Sequence, residues 1–252
     1  MNTLKPIFFS DMDDTLSNSK RKLVGKAHFV ASVDRENNPN CFLNEKQLNF
    51  FNWLNETTEL ILVTARSSRN ALNRVKLPFK SYMIASHGAI IFDKNRNVDE
   101  EFKLFILDSY KENESIYEAI EHKLRKLLSS YLDAGVIKYK PLEELGLDLI
   151  HPFKVTDNTK EELLAEIDMK ISESKIFDDN LFYKHANGNN LAYLPNFVNK
   201  KVAMQFLIDN KLADVEKRAV LGAGDSMTDL PFMLHGDFLV IPKKSQIINN
   251  TF

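Results

Sequence analysis

The fold is decided by the stretch Ile7-Phe8-Phe9-Ser10-Asp11-Met12-Asp13-Asp14-Thr15-Leu16, in which a short apolar run leads directly into three acids. An apolar, aromatic run of this length predicts a buried strand. Carboxylates gathered at the end of a core strand repel one another and lose hydration, and both effects destabilise a fold. A bound divalent cation would offset that cost. Asp11 and Asp13 are therefore the first candidate metal-site residues.

Other interpretations of this acidic segment involve no catalysis. Aspartates are common in turns and as helix N-caps, so Asp13 or Asp14 could simply accept hydrogen bonds from backbone amides. A calcium loop of the EF-hand type needs glycine at its sixth position and glutamate at its twelfth. Counted from Asp11, those positions hold Leu16 and Lys22, which excludes the EF-hand. On this segment alone, the turn interpretation stays open.

The composition is that of an ordinary globular protein: 252 residues, 44% hydrophobic and 27% charged. With a formal net charge of −2 and a pI near 6.3, overall charge attracts neither nucleic acid nor an anionic membrane. The single cysteine, Cys41, excludes an internal disulfide. Because no apolar run reaches the length of a membrane span or a signal-peptide core, we expect a cytoplasmic protein with no membrane or nucleic-acid partner.

Strand-like and helix-like runs alternate in the first 90 residues and again near the end of the chain. Such alternation predicts a parallel sheet with right-handed crossovers, in which ligands bind beyond the carboxyl ends of the strands. The predicted strands are 7–10, 59–64, 82–85, 219–221 and 238–241, and the predicted helices are 44–55, 68–76 and 200–210.

The middle of the chain has a different pattern, because strand-like runs are grouped around two amphipathic helices. The predicted helices are 109–131 and 159–174, the second with a capping box of Thr159 and Glu162, and the predicted strands are 102–107, 136–139, 148–154, 181–184 and 191–194. This grouping predicts an α+β insert with a mainly antiparallel sheet. We therefore predict an α/β fold with a Rossmann-like parallel-sheet core, residues 1–92 and 190–252, and an inserted α+β cap domain, residues 93–189.

A second acidic loop, Gly222-Ala223-Gly224-Asp225-Ser226-Met227-Thr228-Asp229-Leu230-Pro231, also follows an apolar strand. It lacks the third glycine of a dinucleotide-binding loop and the flanking glycines of a nucleophile elbow. An N-cap role for Asp225 or Asp229 would account for this loop alone. Two acidic loops at one edge of a parallel sheet would, however, repel each other without a hard cation, and this favours magnesium.

These motifs together resemble the haloacid dehalogenase superfamily of phosphohydrolases, in the branch whose cap lies between the second and third motifs. The first motif, Asp-x-Asp-x-Thr, is matched by residues 11–15, and the second by Thr64 in Leu62-Val63-Thr64-Ala65-Arg66. Lys200 is similar to the third-motif lysine, although the neighbouring Lys201 is an alternative. The fourth motif is similar to Gly224-Asp225-Ser226-Met227-Thr228-Asp229.

The resemblance implies a role for each matched residue. Asp11 would be the nucleophile that forms an aspartyl-phosphate, and Asp13 would be the general acid and base. A magnesium ion would be held by Asp11, the backbone carbonyl of Asp13, Asp225 and Asp229. Thr64 and Lys200 would hold the transferring phosphoryl group. Asp14 has no implied role.

The resemblance further implies a phosphorylated small-molecule substrate, which we expect to be a sugar phosphate selected by the cap. The polar segment 184–190, where the cap returns to the core, would suit hydroxyl-rich ligands or serve as a hinge. A sugar phosphomutase, or a binding protein that kept the fold, are the alternatives. The chain departs from the family pattern at Thr228 and His87, and in the long segment 17–44, which is interpreted as a solvated basic loop or an enlarged flap.

Overall fold

The computed structural model of the chain describes residues 4–20, 22–157, 162–187 and 190–251. Its strands are β1 (Ile7–Ser10), β2 (Asn18–Ser19), β3 (Phe29–Val33), β4 (Pro39–Leu43), β5 (Glu59–Val63), β6 (Met83–Ala85), β7 (Ile90–Phe92), β8 (Ile137–Tyr139), β9 (Leu142–Glu144), β10 (Leu147–Val155), β11 (Phe182–Asn187), β12 (Asn190–Pro195), β13 (Val220–Ala223) and β14 (Phe238–Val240). Its α-helices are α1 (Glu45–Thr57), α2 (Ser68–Arg74), α3 (Glu100–Lys111), α4 (Glu114–Leu127), α5 (Ser129–Asp133), α6 (Glu162–Ser174), α7 (Lys200–Asn210), α8 (Leu230–Met233) and α9 (Gln246–Thr251).

The chain divides into two compact units. Residues 1–102 and 200–252 form the core unit, and residues 103–199 form the inserted unit. This division differs from the expected boundaries at 92/93 and 189/190. At the first boundary, Asp99 donates its backbone N–H to Ile91 and so extends the core unit past residue 92. At the second, β12 lies beyond the expected boundary, yet it pairs with β10 and β11, in agreement with the grouping of strand 191–194 with the other strands of the insert.

The core sheet has the strand order β14-β13-β1-β5-β6-β7. All pairs are parallel except β6 with β7, as the alternation of strands and helices predicts. Every residue of β1 is buried because this strand lies inside the sheet between β13 and β5. Ser10 lies opposite both Ala223 and Leu62. The residues that follow β1, β13 and β5 therefore emerge at one edge of the sheet.

Helices of the core unit begin where local side-chain chemistry places them. Asn44 caps α1 through a capping box with Gln47, and Phe51 and Leu54 form its buried side. The predicted helix 44–55 is confirmed with a slightly later end. Helix α7 begins at Lys200, the residue that sequence analysis assigned to the third motif.

Segment 17–44 is a solvated loop only in part, because residues 20 and 22–28 are mostly exposed and form neither helix nor strand, whereas the rest of the segment contains strands. Its strands form a three-stranded antiparallel sheet of order β2-β4-β3, and we call β3 and β4 the hairpin. The carboxylate of Asp34 accepts the N–H groups of Glu36 and Asn38 and so closes the turn between the two strands. Irregular register between β3 and β4 interrupts the alternation in 29–43 that would have predicted strands. Of the basic residues in this segment, Arg21 lies outside the described residues.

The inserted unit contains an antiparallel sheet of order β11-β12-β10-β8, with β9 paired to β10, as predicted. The predicted strand 102–107 is wrong, because these residues belong to α3, where Phe102 and Ile106 are buried one helical turn apart. The single predicted helix 109–131 is also wrong, since the chain forms the end of α3, then α4 and most of α5. Thr159 of the expected capping box lies outside the described residues. No helix in the described part of the chain could span a membrane.

Candidate active site

The site begins at the carboxyl ends of three neighbouring strands of the core sheet. Asp11 follows β1, Thr64 follows β5, and Asp225 follows β13 by one residue. The backbone N–H of Asp11 donates to the carbonyl of Ala223 at 2.9 Å, so the hydrogen-bond ladder continues beyond the strand ends and holds the two acidic loops together. The parallel arrangement thus explains why acids 214 positions apart in sequence meet.

Three buried carboxylates form one cluster. Asp11, Asp225 and Asp229 are only 6%, 8% and 2% exposed, and one carboxylate oxygen from each lies within 4.8 Å of the other two. Sequence analysis predicted these three residues as metal ligands, and the structure brings them together. Carboxylate oxygens at this spacing are the donor set that hard divalent cations prefer.

One buried cation bridges two of these carboxylates. The Nζ atom of Lys200 lies 3.0 Å from Oδ1 of Asp11 and 2.7 Å from Oδ1 of Asp229. Burial opposes the charged ammonium, but the two carboxylates outweigh it and raise the pKa of Lys200 above its ordinary value. The neighbouring Lys201 is exposed on the same helix. Of the two candidate lysines, the structure therefore places Lys200 on the acids.

The cluster carries more negative charge than Lys200 can balance. Burial raises the pKa of Asp11 well above its ordinary value, and the charges of Asp229 and Asp13 add to this effect against the opposing charge of Lys200. Burial, reinforced by Asp229, likewise raises the pKa of Asp225 to about 6. Fully ionised, three carboxylates and one ammonium leave two negative charges in a buried place. A divalent cation would neutralise them, so these residues fit such an ion.

Asp229 is the carboxylate that the protein itself stabilises. Its Oδ2 accepts the backbone N–H of Ser226 at 3.1 Å and the Ser226 hydroxyl at 2.8 Å, while Oδ1 receives Lys200. Burial opposes ionisation, yet these donors and the charge of Lys200 hold the pKa of Asp229 below its ordinary value. The sequence excluded Ser226 as an elbow nucleophile and predicted no other role for it. In the structure, Ser226 donates two hydrogen bonds that stabilise the ionised carboxylate of Asp229.

Glycine is required where the second acidic loop approaches Asp229. A Cβ atom added to Gly224 would lie 2.5 Å from Cβ of Asp229 and 2.8 Å from Sδ of Met233. One added to Gly222 would lie 2.6 Å from the Met233 backbone. Both glycines therefore let α8 and its preceding loop pack against β13, which brings Asp229 close to Asp225.

Asp13 lies apart from the three-carboxylate cluster. Its Oδ2 accepts Nε of Arg66 and its Oδ1 accepts Nη2 of the same guanidinium, both at 2.7 Å, so the ion pair is bidentate. Oδ1 also accepts the thiol of Cys41 at 3.2 Å. Burial raises the pKa of Cys41 to about 11, so it stays a neutral thiol. Any metal contact from Asp13 would therefore come from its backbone carbonyl, as the resemblance implies.

Thr64 is buried at the end of β5. Its hydroxyl accepts the backbone N–H of Arg66 at 3.1 Å, and its own N–H donates to Ile84. Among the described contacts, none joins Thr64 to the carboxylate cluster. The structure places it at the same sheet edge, with a hydroxyl proton still to donate.

Asp14 has a structural environment. Its Oδ2 accepts Nζ of Lys22 at 2.6 Å and its Oδ1 accepts the backbone N–H of Ser19. Its φ of 62° lies in the left-handed region, which aspartate tolerates better than most residues. The turn interpretation raised for this segment therefore describes Asp14.

The polar group around Asp13 was not predicted from the sequence. Arg66 was quoted within the second motif but given no role, and Ser32 and Cys41 were assigned to a loop. An arginine two positions after the motif threonine was the one available signal. Its partner Asp13 lies 53 positions away, and the separation hid the pair.

Comparison with solved structures finds proteins of the same fold. The sucrose-phosphatase of Synechocystis sp. PCC6803, in complex with sucrose and phosphate, matches with 17% identity and a TM-score of 0.58. The match covers 98% of this chain and 86% of that chain. The trehalose-6-phosphate phosphatase C-terminal domain of C. albicans matches with 15% identity, 91% and 73% coverage, and a TM-score of 0.56. The IMP-nucleotidase of Plasmodium falciparum matches with 13% identity, 97% and 66% coverage, and a TM-score of 0.53.

At these identities the similarity establishes the fold alone. A search among curated proteins gives no significant match. The family model described as haloacid dehalogenase-like hydrolase matches residues 8–240, a span that contains both acidic loops, Thr64 and Lys200. This chain belongs to the haloacid dehalogenase-like hydrolase family.

Proposed function

We propose that this protein is a magnesium-dependent phosphatase that hydrolyses a phosphate monoester through an aspartyl-phosphate intermediate. The observation that carries the proposal is the cluster of Asp11, Asp225 and Asp229 around Lys200. A purely structural cluster would have its charge balanced internally, whereas this one lacks two positive charges. In a hydrolase family, that deficit at the sheet edge fits a metal-assisted reaction on an anionic substrate.

Asp11 is the proposed nucleophile: a lone pair of its carboxylate would attack phosphorus as the bond to the leaving oxygen breaks. Lys200 would supply positive charge to the transferring phosphoryl group, and Thr64 would donate its hydroxyl proton to one phosphoryl oxygen. Asp11, Asp225, Asp229 and the backbone carbonyl of Asp13 would hold magnesium. When bound, the ion offsets the repulsion between the carboxylate and the anionic ester.

Asp13 is the proposed general acid and base. In the first half-reaction it would give its proton to the leaving oxygen, and in the second it would take a proton from the water that attacks the aspartyl-phosphate. Its carboxylate is 40% exposed, so a substrate oxygen can reach it. To carry a proton, it must release one of the two oxygens that Arg66 now holds.

We propose a sugar phosphate as the substrate class, selected by the inserted unit acting as a cap. Two of the structurally similar proteins are named as phosphatases of sucrose phosphate and trehalose 6-phosphate, which supports this class. The polar segment 184–190 remains a candidate for contacts with hydroxyl groups, although residues 188 and 189 lie outside the described part. The similar nucleotidase makes IMP the appropriate competing substrate.

The test compares Asp11→Asn with Asp14→Asn, a matched loss of one carboxylate three positions away. We expect wild type and Asp14→Asn to hydrolyse p-nitrophenyl phosphate in a magnesium-dependent manner. Asp11→Asn should lose at least about 10³-fold in kcat, because no other group can form the covalent intermediate. Full turnover by Asp11→Asn would refute the proposal. A panel of sucrose 6-phosphate, trehalose 6-phosphate and IMP, ranked by kcat/KM, then tests the substrate class.

A further inference from the structure

The hairpin carries two buried polar side chains that face Asp13. Ser32 on β3 and Cys41 on β4 lie directly opposite each other in the antiparallel register, so both point to the same face. They are 0% and 4% exposed. A buried hydroxyl and a buried thiol need partners, and both find them on the side of the hairpin that meets Arg66 and Asp13.

Their contacts converge on one atom of Arg66. Nη2 donates to Ser32 Oγ at 2.9 Å and to Asp13 Oδ1 at 2.7 Å, and it lies 3.4 Å from Cys41 Sγ. The Cys41 thiol also donates directly to Asp13 Oδ1. The Arg66 side chain is only 16% exposed, and its guanidinium is held by these partners.

The two oxygens of Asp13 are consequently held unequally. Oδ1 has two described donors, Nη2 of Arg66 and the thiol of Cys41, whereas Oδ2 has one, Nε of Arg66. Breaking the single contact at Oδ2 leaves Oδ1 anchored. Oδ2 can then be protonated while the carboxyl group keeps its position.

We propose that Ser32 and Cys41 are positioning residues for proton transfer by Asp13: Cys41 directly, and Ser32 through Arg66, anchor Oδ1 so that Oδ2 carries the proton. This proposal rests on the phosphatase function proposed above. In the step, the Oδ2–H bond breaks and the proton passes to the leaving oxygen, which keeps the electron pair of the broken P–O bond. Asp13 is left as a carboxylate until water returns a proton in the second half-reaction.

The test uses two substrates of similar shape that differ in their need for a proton. The p-nitrophenolate ion leaves readily because its charge is delocalised, whereas phenolate leaves poorly without a proton. The measured quantity is kcat/KM, which reports the steps up to release of the phenol. For Ser32→Ala/Cys41→Ala, we expect phenyl phosphate to lose at least ~10-fold and p-nitrophenyl phosphate less than ~3-fold.

Two matched variants separate positioning from packing. Cys41→Ser keeps a donor and should hold the ratio of the two kcat/KM values within about 3-fold of wild type. Val33→Ala removes buried volume from the same strand and should leave that ratio unchanged. If the double variant has a lower melting temperature than Val33→Ala, the single variant Cys41→Ala carries the test with the same expected direction.

Equal losses on both esters, or an unchanged ratio in the double and single alanine variants, would overturn the proposal. Failure of the phosphatase function itself would show differently: wild type would hydrolyse neither ester, or Asp11→Asn would stay active. The two failures are therefore distinguishable in one set of assays.

Discussion

The two ends of the core sheet both contain carboxylates with little exposure to solvent, half-buried at one end and buried at the other, but they balance the charge in opposite ways. At the amino end, the single carboxylate of Glu59 receives Arg218 at 2.6 Å, Lys94 at 3.0 Å and the Ser81 hydroxyl at 3.0 Å. At the carboxyl end, Lys200 contacts two of three clustered carboxylates, those of Asp11 and Asp229. The carboxylate at the amino end therefore has two cationic partners, whereas the three carboxylates at the carboxyl end have more negative charge than Lys200 can balance.

The pKa directions report this difference. Burial opposes ionisation of Glu59, yet the hydrogen bonds from Arg218, Lys94 and Ser81 outweigh it and lower the pKa below its ordinary value. At the other end, burial wins and raises the pKa of Asp225 to about 6. A carboxylate with little exposure to solvent, such as that of Glu59, is therefore not itself a sign of function. A buried carboxylate without its own cation is the stronger sign, because a ligand must supply the charge.

A large effect is expected from removing Lys200, the cation that contacts two acids of the cluster. Lys200→Met should lower kcat/KM by about 10²–10³-fold, because an electrostatic contact to the transferring phosphoryl group is lost and two acids lose their partner. Lys201→Met, an identical change at the exposed neighbour, should stay within about 2-fold of wild type. The measurement is kcat/KM of both variants with p-nitrophenyl phosphate in steady-state assays. A larger loss in Lys201→Met would reassign the third-motif lysine.

The excess negative charge of the cluster also predicts that neutralising Asp225 stabilises the metal-free protein. In the metal-free protein the pKa of Asp225, about 6, exceeds its ordinary 3.8, so the folded state binds a proton more tightly and loses stability as pH rises through this window. At pH 7 the cost is up to about 3 kcal/mol. Asp225→Asn should therefore raise the free energy of unfolding in EDTA at pH 7, measured by urea denaturation, while abolishing turnover.

Magnesium provides the control for that gain. At 100 times its dissociation constant, a bound ion stabilises the native state by about 2.7 kcal/mol, so wild type should gain this amount on addition of magnesium chloride. Asp225→Asn should gain much less because one proposed ligand is neutral. A metal-free Asp225→Asn protein that is less stable than wild type would show that the charge of Asp225 is balanced after all.

The carboxyl-end cluster could be predicted because it depends on topology. Once apolar runs are assigned to parallel strands, the residues after β1 and β13 must meet at one edge, whatever the chain does between them. The side chains of Asp11, Asp225 and Asp229 needed no further information. Lys200 required the structure, since two adjacent lysines open α7 and only the helix direction shows which one reaches the acids.

The surroundings of Asp13 could not be predicted in the same way. Its partner Arg66 reaches it through a long side chain from a neighbouring strand end, and Ser32 and Cys41 belong to a hairpin whose alternation is interrupted by irregular register. The strand assigned to 102–107 failed for a related reason. A short apolar run with buried residues four apart fits a helix as well as a strand, and tertiary packing decides between them.

The smallest effect is expected at the amino end, and it is one of stability alone. Glu59→Gln leaves Arg218, which is 8% exposed, without its full partner, and should lower the free energy of unfolding by about 2 kcal/mol at pH 7. The pKa of Glu59 is lowered, so its contribution is present above its ordinary 4.5 and is lost as pH falls through the depressed folded value. The difference in free energy of unfolding between wild type and Glu59→Gln, measured by urea denaturation, should therefore decrease at acidic pH. Because Glu59 is fully supplied with cations, kcat/KM and the stabilisation by magnesium should match wild type, and a loss of either would show that the two ends of the sheet are not independent.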